Sequence, residues 1–319
     1  MTEEIMHILE TQQFKEKEIL DRLLNTAAEM ERQCREGTVK GGLGGKSLAN
    51  IFYERSTRTR LSFETAMLRL GGTVIGTESA SHFSSAIKGE SLPDTIKIIS
   101  QYADMIVLRH PKEGSAKIAA QSSSVPIINA GDGSGQHPTQ ALLDVYTIYK
   151  ELGRLDDLNV AMVGDLLYGR TVHSLTYLLA HRNNIKLHFV SPEQLRMPKD
   201  IIQYLKDKGI EFEQTSNLKE VAEKVDVLYV TRIQKERFRT VEEYEKMKGI
   251  YVIDKNLMNL IKTKAIVMHP LPRVNEIDPS VDYDPRAAYF RQAENGLYVR
   301  MALLKMIAEG SLWTGAKVE

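Results

Sequence analysis

The sequence holds one cysteine and one tryptophan in 319 residues. A lone Cys34 excludes an internal disulfide and a cysteine zinc cluster. It lies in a charged, helix-like stretch and reads as a spectator thiol. Excess charge of either sign is missing too: 42 lysines and arginines face 42 aspartates and glutamates. No global basic field therefore gathers nucleic acid or an anionic membrane, and any anion site has to be local. Nowhere do eighteen apolar residues run together, and the opening MTEEIMHILE is acidic, without the basic-then-apolar pattern of a signal peptide. The expectation is a cytoplasmic chain. No Ser-His-Asp or zinc-ligand pattern is present, which fits a reaction that needs no covalent nucleophile, no metal and no other cofactor.

What is present is a regular alternation. The length suggests two domains with sizeable cores. Residues 13 to 36 read as one long amphipathic helix, LANIFYE as a buried strand, and LSFETAMLRL as a helix stopped by Gly71 and Gly72. Strands follow at TVIGT, MIVLRH and VPIINA, with LPDTIKIISQYA as a helix among them. The pattern restarts with strands at LNVAMVGD, KLHFVS, VDVLYVT and AIVMHP and with helices at TVHSLTYLLAHR and KDIIQYLKDKG. GDGSG at 131 to 135, before the helix HPTQALLDVYTIYKELG, marks the crossing between domains. The fold class is α/β: two domains, each a parallel sheet flanked by helices, with the active site in the cleft between them. The closing helix, 291 to 309, could pack on either domain.

At residues 55 to 60, RSTRTR places a guanidinium or hydroxyl at six consecutive positions between a strand and a helix. Helix N-termini beyond the carboxyl ends of parallel strands collect anions, and arginine forks match phosphate bidentately. A phosphate group is the expected guest. KGGLGGKS has Lys40 where a P-loop needs its first glycine, and it precedes a strand, so it reads as a connection. GDLLYGRT follows a strand and opens a helix, but Arg170 stands where a P-loop needs lysine. An arginine there suits a carboxylate or phosphate held in a fork. Arg109, His137, Gln140, Arg232, Gln234 and the run His269 to Arg273 also fall at strand ends or helix starts. Singly each suits a capping or solvated role; together they favour a small, polyanionic substrate pair.

The segments FYERSTRTRLSFETA, KGESLPDT, VLRHP, DGSGQHPTQALLD, GDLLYGRTVHSL, TRIQKER, HPLPRVNEI and NGLYVRMALL, in this order over nearly the whole chain, resemble the aspartate/ornithine carbamoyltransferase family. Within it they are similar to catalytic chains of the aspartate branch. The ornithine branch usually has lysine where Glu54 stands, an SMG loop, and HCLP where this chain has HPLP.

The resemblance implies roles residue by residue. Ser56, Thr57, Arg58 and Thr59 would bind the phosphate of carbamoyl phosphate, with Arg109 adding charge. His137, with Thr59 and Arg109, would hydrogen-bond the carbonyl oxygen, Gln140 would hold the carbamoyl amino group, and Leu271 and Pro272 would shape the carbamoyl pocket. Arg170, Arg232 and Gln234 would bind aspartate, joined by Lys88. Ser84 and Lys88 match positions that reach into a neighbouring subunit's site, implying a homotrimer with shared active sites. Glu54 would pair with Arg170 or Arg237 to hold a closed form. The implied domains are 1–136 for carbamoyl phosphate, with the helix 291–319 returning to it, and 137–290 for aspartate. The implied reaction transfers a carbamoyl group to L-aspartate, without a covalent intermediate, in de novo pyrimidine synthesis. Family members work as bare trimers, with separate regulatory chains, or inside larger enzymes. Other readings of the same residues are a carbamoyltransferase for ornithine, a non-catalytic anion-binding protein, and a phosphotransferase using GDLLYGRT.

Overall fold

Short runs rich in valine, isoleucine and leucine cannot leave their backbone polar groups unpaired when buried, and here they satisfy them in two parallel sheets. The computed structural model of the protein describes residues 5–79, 89–233, 240, 242, 244 and 248–313. The chain divides into two units, Met1–Tyr146 with Glu294–Glu319, and Thr147–Ala293.

In the first unit, helix α1 (Lys17–Glu36) precedes strand β1 (Ser47–Phe52), helix α2 (Thr57–Arg69), β2 (Thr73–Glu78), α3 (Leu92–Ile99), β3 (Met105–His110), α4 (Ser115–Ser122) and β4 (Ile127–Asp132). The sheet order is β2-β1-β3-β4, all parallel. Ala49, Ile51, Ile106, Leu108 and Ile127 of the strands pack with Ile96 and Ala119 of the helices. The expected helix from residue 13 is shorter than its periodicity suggested. A 3-10 turn covers Thr11–Phe14, and Glu16 is extended before α1 begins. The cause is local: the Gln13 amide accepts from the N–H groups of Leu9 and Glu10 and donates to the His7 carbonyl. Phe14 is buried and lies 5.3 Å from the Trp313 ring.

Helix α5 (Pro138–Leu152) begins in the first unit and ends in the second, and the division falls after Tyr146. The second unit continues with β5 (Asn159–Val163), α6 (Arg170–Leu179), β6 (Lys186–Val190), α7 (Lys199–Asp207), β7 (Glu211–Thr215), α8 (Leu218–Ala222), β8 (Val227–Val230), α9 (Lys255–Leu260) and β9 (Ile266–Met268). Its sheet order is β7-β6-β5-β8-β9, again parallel. Ala161, Val163, Leu228, Val230 and Val267 are buried in its core with Leu257 and Met258 of α9. Strand β7, EFEQT, carries a single large apolar side chain and forms a polar edge, which is why hydrophobic pattern alone passed over it. The last helix, α10 (Tyr289–Ala308), starts in the second unit and runs into the first.

Candidate anion-binding sites at the two switch points

Parallel sheets whose strand order reverses leave a crevice at the carboxyl ends of the two strands flanking the reversal. In the first sheet the chain goes from β1 outward to β2, then crosses to β3 on the other side of β1. The crevice lies between the ends of β1 and β3. Strand β1 leads into Ser56 and α2, whereas β3 ends on Arg109 and His110. The neighbouring β4 leads into His137 and α5. The phosphate and carbamoyl candidates of the first unit thus sit at the ends of three adjacent strands.

The six residues of RSTRTR divide into structural and available groups. Arg60 pairs with Glu64 at 2.7 Å and Glu78 at 3.0 Å. Arg55 donates to the Ser79 hydroxyl at 3.2 Å. Ser56, at the start of α2, is extended with φ −159° and makes no side-chain cap to its own helix. Thr59 is buried, 7 % exposed. Arg58 has no carboxylate partner among the described residues and stays open to solvent, while partial burial pushes its pKa down. A partly buried guanidinium beside a helix N-terminus favours an anion.

Arg109 donates to the Ala130 carbonyl at 3.3 Å, and its Nε lies 3.5 Å from the Glu54 carboxylate. In this structure Glu54 therefore neutralises a cation of its own unit. The loop after β4 is held by Asp132, whose carboxylate accepts from the N–H groups of Gln136 at 3.0 Å and Gly114 at 3.0 Å and from Asn129 Nδ2 at 3.2 Å. His137 is buried, and its carbonyl accepts from the N–H of Gln140 at 3.0 Å and of Ala141 at 3.2 Å, starting α5. One turn on, Gln140 Nε2 donates to Asp144 Oδ1 at 2.9 Å.

The second sheet has its reversal at β5, with β6 on one side and β8 on the other. Arg170 opens α6 after β5, and Arg232 follows β8, so both stand at that switch point. The turn between β5 and α6 is tightly built. The Thr231 hydroxyl donates to the Val163 carbonyl at 3.0 Å and accepts from the Asp165 N–H at 3.1 Å, while Asp165 Oδ1 accepts from the Tyr168 N–H at 2.9 Å. Gly164 sits at φ +116°, and a Cβ there would lie 2.4 Å from the Thr231 carbonyl oxygen, so no other residue fits.

After β9 the segment HPLPR wraps around a buried pair. His269 Nδ1 accepts from the Leu271 N–H at 2.7 Å, which places the ring hydrogen on Nε2, and that N–H donates to Glu276 Oε1 at 2.8 Å. Glu276 Oε2 accepts from the N–H groups of Val274 and Asn275, each at 3.1 Å. Burial pushes the Glu276 carboxyl up, but the His269 and backbone hydrogen bonds outweigh it and hold its pKa below the usual range. Leu271 adopts φ +52°, and its bond to Pro272 is cis. Arg273, grouped by sequence with the strand-end cations, is committed elsewhere: it donates to Asp282 at 2.6 Å and stacks over Tyr289 and Phe290.

Ser84, Lys88, Gln234 and Arg237 lie outside the described residues. Sequence reasoning missed Asp144, Asp132 and the His269–Glu276 pair. The Gln140 and Asp144 spacing of four on a helix was the one available signal. Among the described residues no group of three or more histidine, cysteine, aspartate or glutamate side chains is placed to hold a metal ion. No helix among them is long and apolar enough to cross a membrane.

Two α/β units, each with arginines at the switch point of a parallel sheet, define a two-domain α/β protein with candidate anion sites. The chain belongs to the aspartate/ornithine carbamoyltransferase family: residues 6–150 match its carbamoyl-P binding domain and residues 156–307 its Asp/Orn binding domain. It is 54% identical over 308 residues to a chloroplastic aspartate carbamoyltransferase of Arabidopsis thaliana, covering 96% of this chain and 79% of that one. The catalytic subunit of M. jannaschii aspartate transcarbamoylase superposes with a TM-score of 0.88 at 54% identity, covering 95% of this chain and 98% of that one. The Trypanosoma cruzi aspartate transcarbamoylase in complex with carbamoyl phosphate and aspartate gives a TM-score of 0.89 at 43% identity, covering 94% and 95%.

Proposed function

We propose that the protein transfers the carbamoyl group of carbamoyl phosphate to the amino group of L-aspartate, giving N-carbamoyl-L-aspartate and phosphate. The observation that carries this reading is Arg58: a partly dehydrated guanidinium at a switch point, with no carboxylate partner among the described residues, while its neighbour Arg60 is fully paired. A dianionic phosphate supplies the missing charge. Relatives named for this reaction match both halves of the chain.

Ser56, Thr57, Arg58, Thr59 and Arg109 bind the phosphate in this reading. The neutral amine of aspartate attacks the carbonyl carbon. The carbonyl π electrons move onto oxygen, where Thr59, Arg109 and His137 stabilise the oxyanion. As the carbonyl re-forms, the C–O bond to phosphate breaks and phosphate leaves with that electron pair. The amine proton passes to the departing phosphate. Gln140 holds the carbamoyl amino group, and Leu271 and Pro272 shape its pocket. Arg170, Arg232, Gln234 and Lys88 take the carboxylates of aspartate. Holding two anions that otherwise repel supplies much of the acceleration, an effect that reaches ~7 to 11 kcal/mol in well-oriented systems.

The working form in this proposal is a homotrimer in which Ser84 and Lys88 serve a neighbouring subunit. Its support is an apolar surface at the open edge of the first sheet: Leu61 and Leu68 of α2 are 53% and 59% exposed, and Ile75 on the edge strand β2 is 44% exposed. We place the enzyme in the cytoplasm, in de novo pyrimidine synthesis. Cell fractionation tests the first, and pyrimidine auxotrophy of a deletion strain the second.

The deciding assay supplies carbamoyl phosphate with either L-aspartate or L-ornithine to the purified chain, without metal or ATP, and measures carbamoylated product by colour. Product with aspartate alone is expected. Product with ornithine alone overturns the acceptor, and none with either overturns the reaction.

A further inference from the structure

Gln140 lies on the first turn of α5, and the partner that fixes its amide is buried behind it. Asp144, fully buried one turn further on, accepts from Gln140 Nε2 at 2.9 Å. Because Asp144 Oδ1 accepts from the amide nitrogen, a flipped amide would set its oxygen against that acceptor. Arg300 of α10, 3% exposed, packs into the same buried region: its Nη2 lies 3.5 Å from the Thr139 hydroxyl and its guanidinium stacks over the Phe63 ring at 5.0 Å. Burial pushes the Arg300 pKa down to about 10, and the neighbouring Asp144 charge works against that fall. Room for the guanidinium comes from Gly296, where a Cβ would lie 2.4 Å from Arg300 Nη1.

We propose that Asp144 is the positioning residue that locks the Gln140 amide with its oxygen toward the acyl donor, and so makes the site select an amino group over a methyl group on that donor. This rests on the carbamoyl-transfer reading above. A carbamoyl –NH2 offers N–H donors to Gln140 Oε1. The isosteric methyl of acetyl phosphate offers none and leaves that oxygen without its hydrogen bond, a mismatch that polar sites penalise far more than a change of size.

The test compares kcat/KM for carbamoyl phosphate with that for acetyl phosphate, aspartate being the acceptor, in the wild type and in Asp144→Asn, Gln140→Ala and the double variant. An asparagine at 144 can present either a donor or an acceptor and releases the lock. The preference for carbamoyl over acetyl phosphate is expected to fall roughly tenfold in Asp144→Asn, as one hydrogen bond of about 1.4 kcal/mol would give. The double variant is expected to match Gln140→Ala, because Asp144 acts through Gln140. A merely destabilising change lowers both rates together and leaves the ratio unmoved. Asp144→Glu keeps the charge beside Arg300 but displaces the carboxylate from the amide, and gives the same reading if Asp144→Asn does not fold. An unchanged ratio in the folded variant, or additive losses in the double variant, overturns the proposal while leaving carbamoyl transfer intact. A wild-type chain that makes no carbamoyl-aspartate overturns both.

Discussion

His269 donates its Nε2–H to Glu276 at 2.8 Å in a buried site, and the bond fixes the tautomer whose Nδ1 receives the Leu271 N–H. Side chain and loop are thereby one unit. Glu276→Ala leaves the His269 donor and the Val274 and Asn275 amides unpaired, and is expected to cost about 2 kcal/mol. It should also lower turnover, because Leu271 and Pro272 lose their support. Thermal melting and steady-state kinetics read the two effects, and a variant that is unchanged in both refutes the role.

The same pair has a pH signature. The folded pKa of Glu276 lies below its unfolded value, so its contribution to stability is fully present above the usual glutamate pKa and is lost as pH falls through the folded value. Between wild type and Glu276→Gln, the difference in melting temperature should therefore shrink on acidification below that range and stay constant above it. Melting curves from neutral pH into the acid limb check this.

Within RSTRTR the last two arginines, Arg58 and Arg60, should separate cleanly. If Arg58 holds the phosphate as proposed, Arg58→Ala removes a contact that strengthens in the transition state, and turnover should fall by orders of magnitude while the melting temperature holds. Arg60→Ala breaks surface pairs to Glu64 and Glu78, costing about 0.5 kcal/mol of stability, and leaves turnover close to wild type. Equal losses of activity in both variants would contradict this division.

Gly164→Ala should destabilise the second unit by about 2 kcal/mol or more, since the added methyl meets backbone at a left-handed φ. Denaturant titration measures it. Activity at low temperature should survive in the fraction that folds.

Mixing an Arg58→Ala chain with a Lys88→Ala chain tests the shared site. On the proposed trimer, subunit exchange should restore part of the activity, because hybrids regain some sites with both residues intact. Exchange without recovery would mean self-contained sites.

Sequence by itself determined much of this protein. Valine- and isoleucine-rich runs alternating with 3.6-period segments specify parallel α/β units, because only buried parallel strands tolerate apolar residues on both faces. The positions of Arg58, Arg109, His137, Gln140, Arg170 and Arg232 at strand ends and helix starts were equally legible, since chain order alone puts them there. Tertiary structure decided which cations are already committed to carboxylates. Arg60 and Arg273 look as available as Arg58 in the sequence, yet Glu78 and Asp282 claim them, and those partners lie 18 and 9 residues away. It also decided the strand order, and with it the two switch points. Edge strand β7 and the buried Asp144 and Arg300 escaped pattern reading for one reason: their surroundings are brought close by the fold, and local spacing carries no record of a partner 161 residues away, as Arg300 is from Thr139.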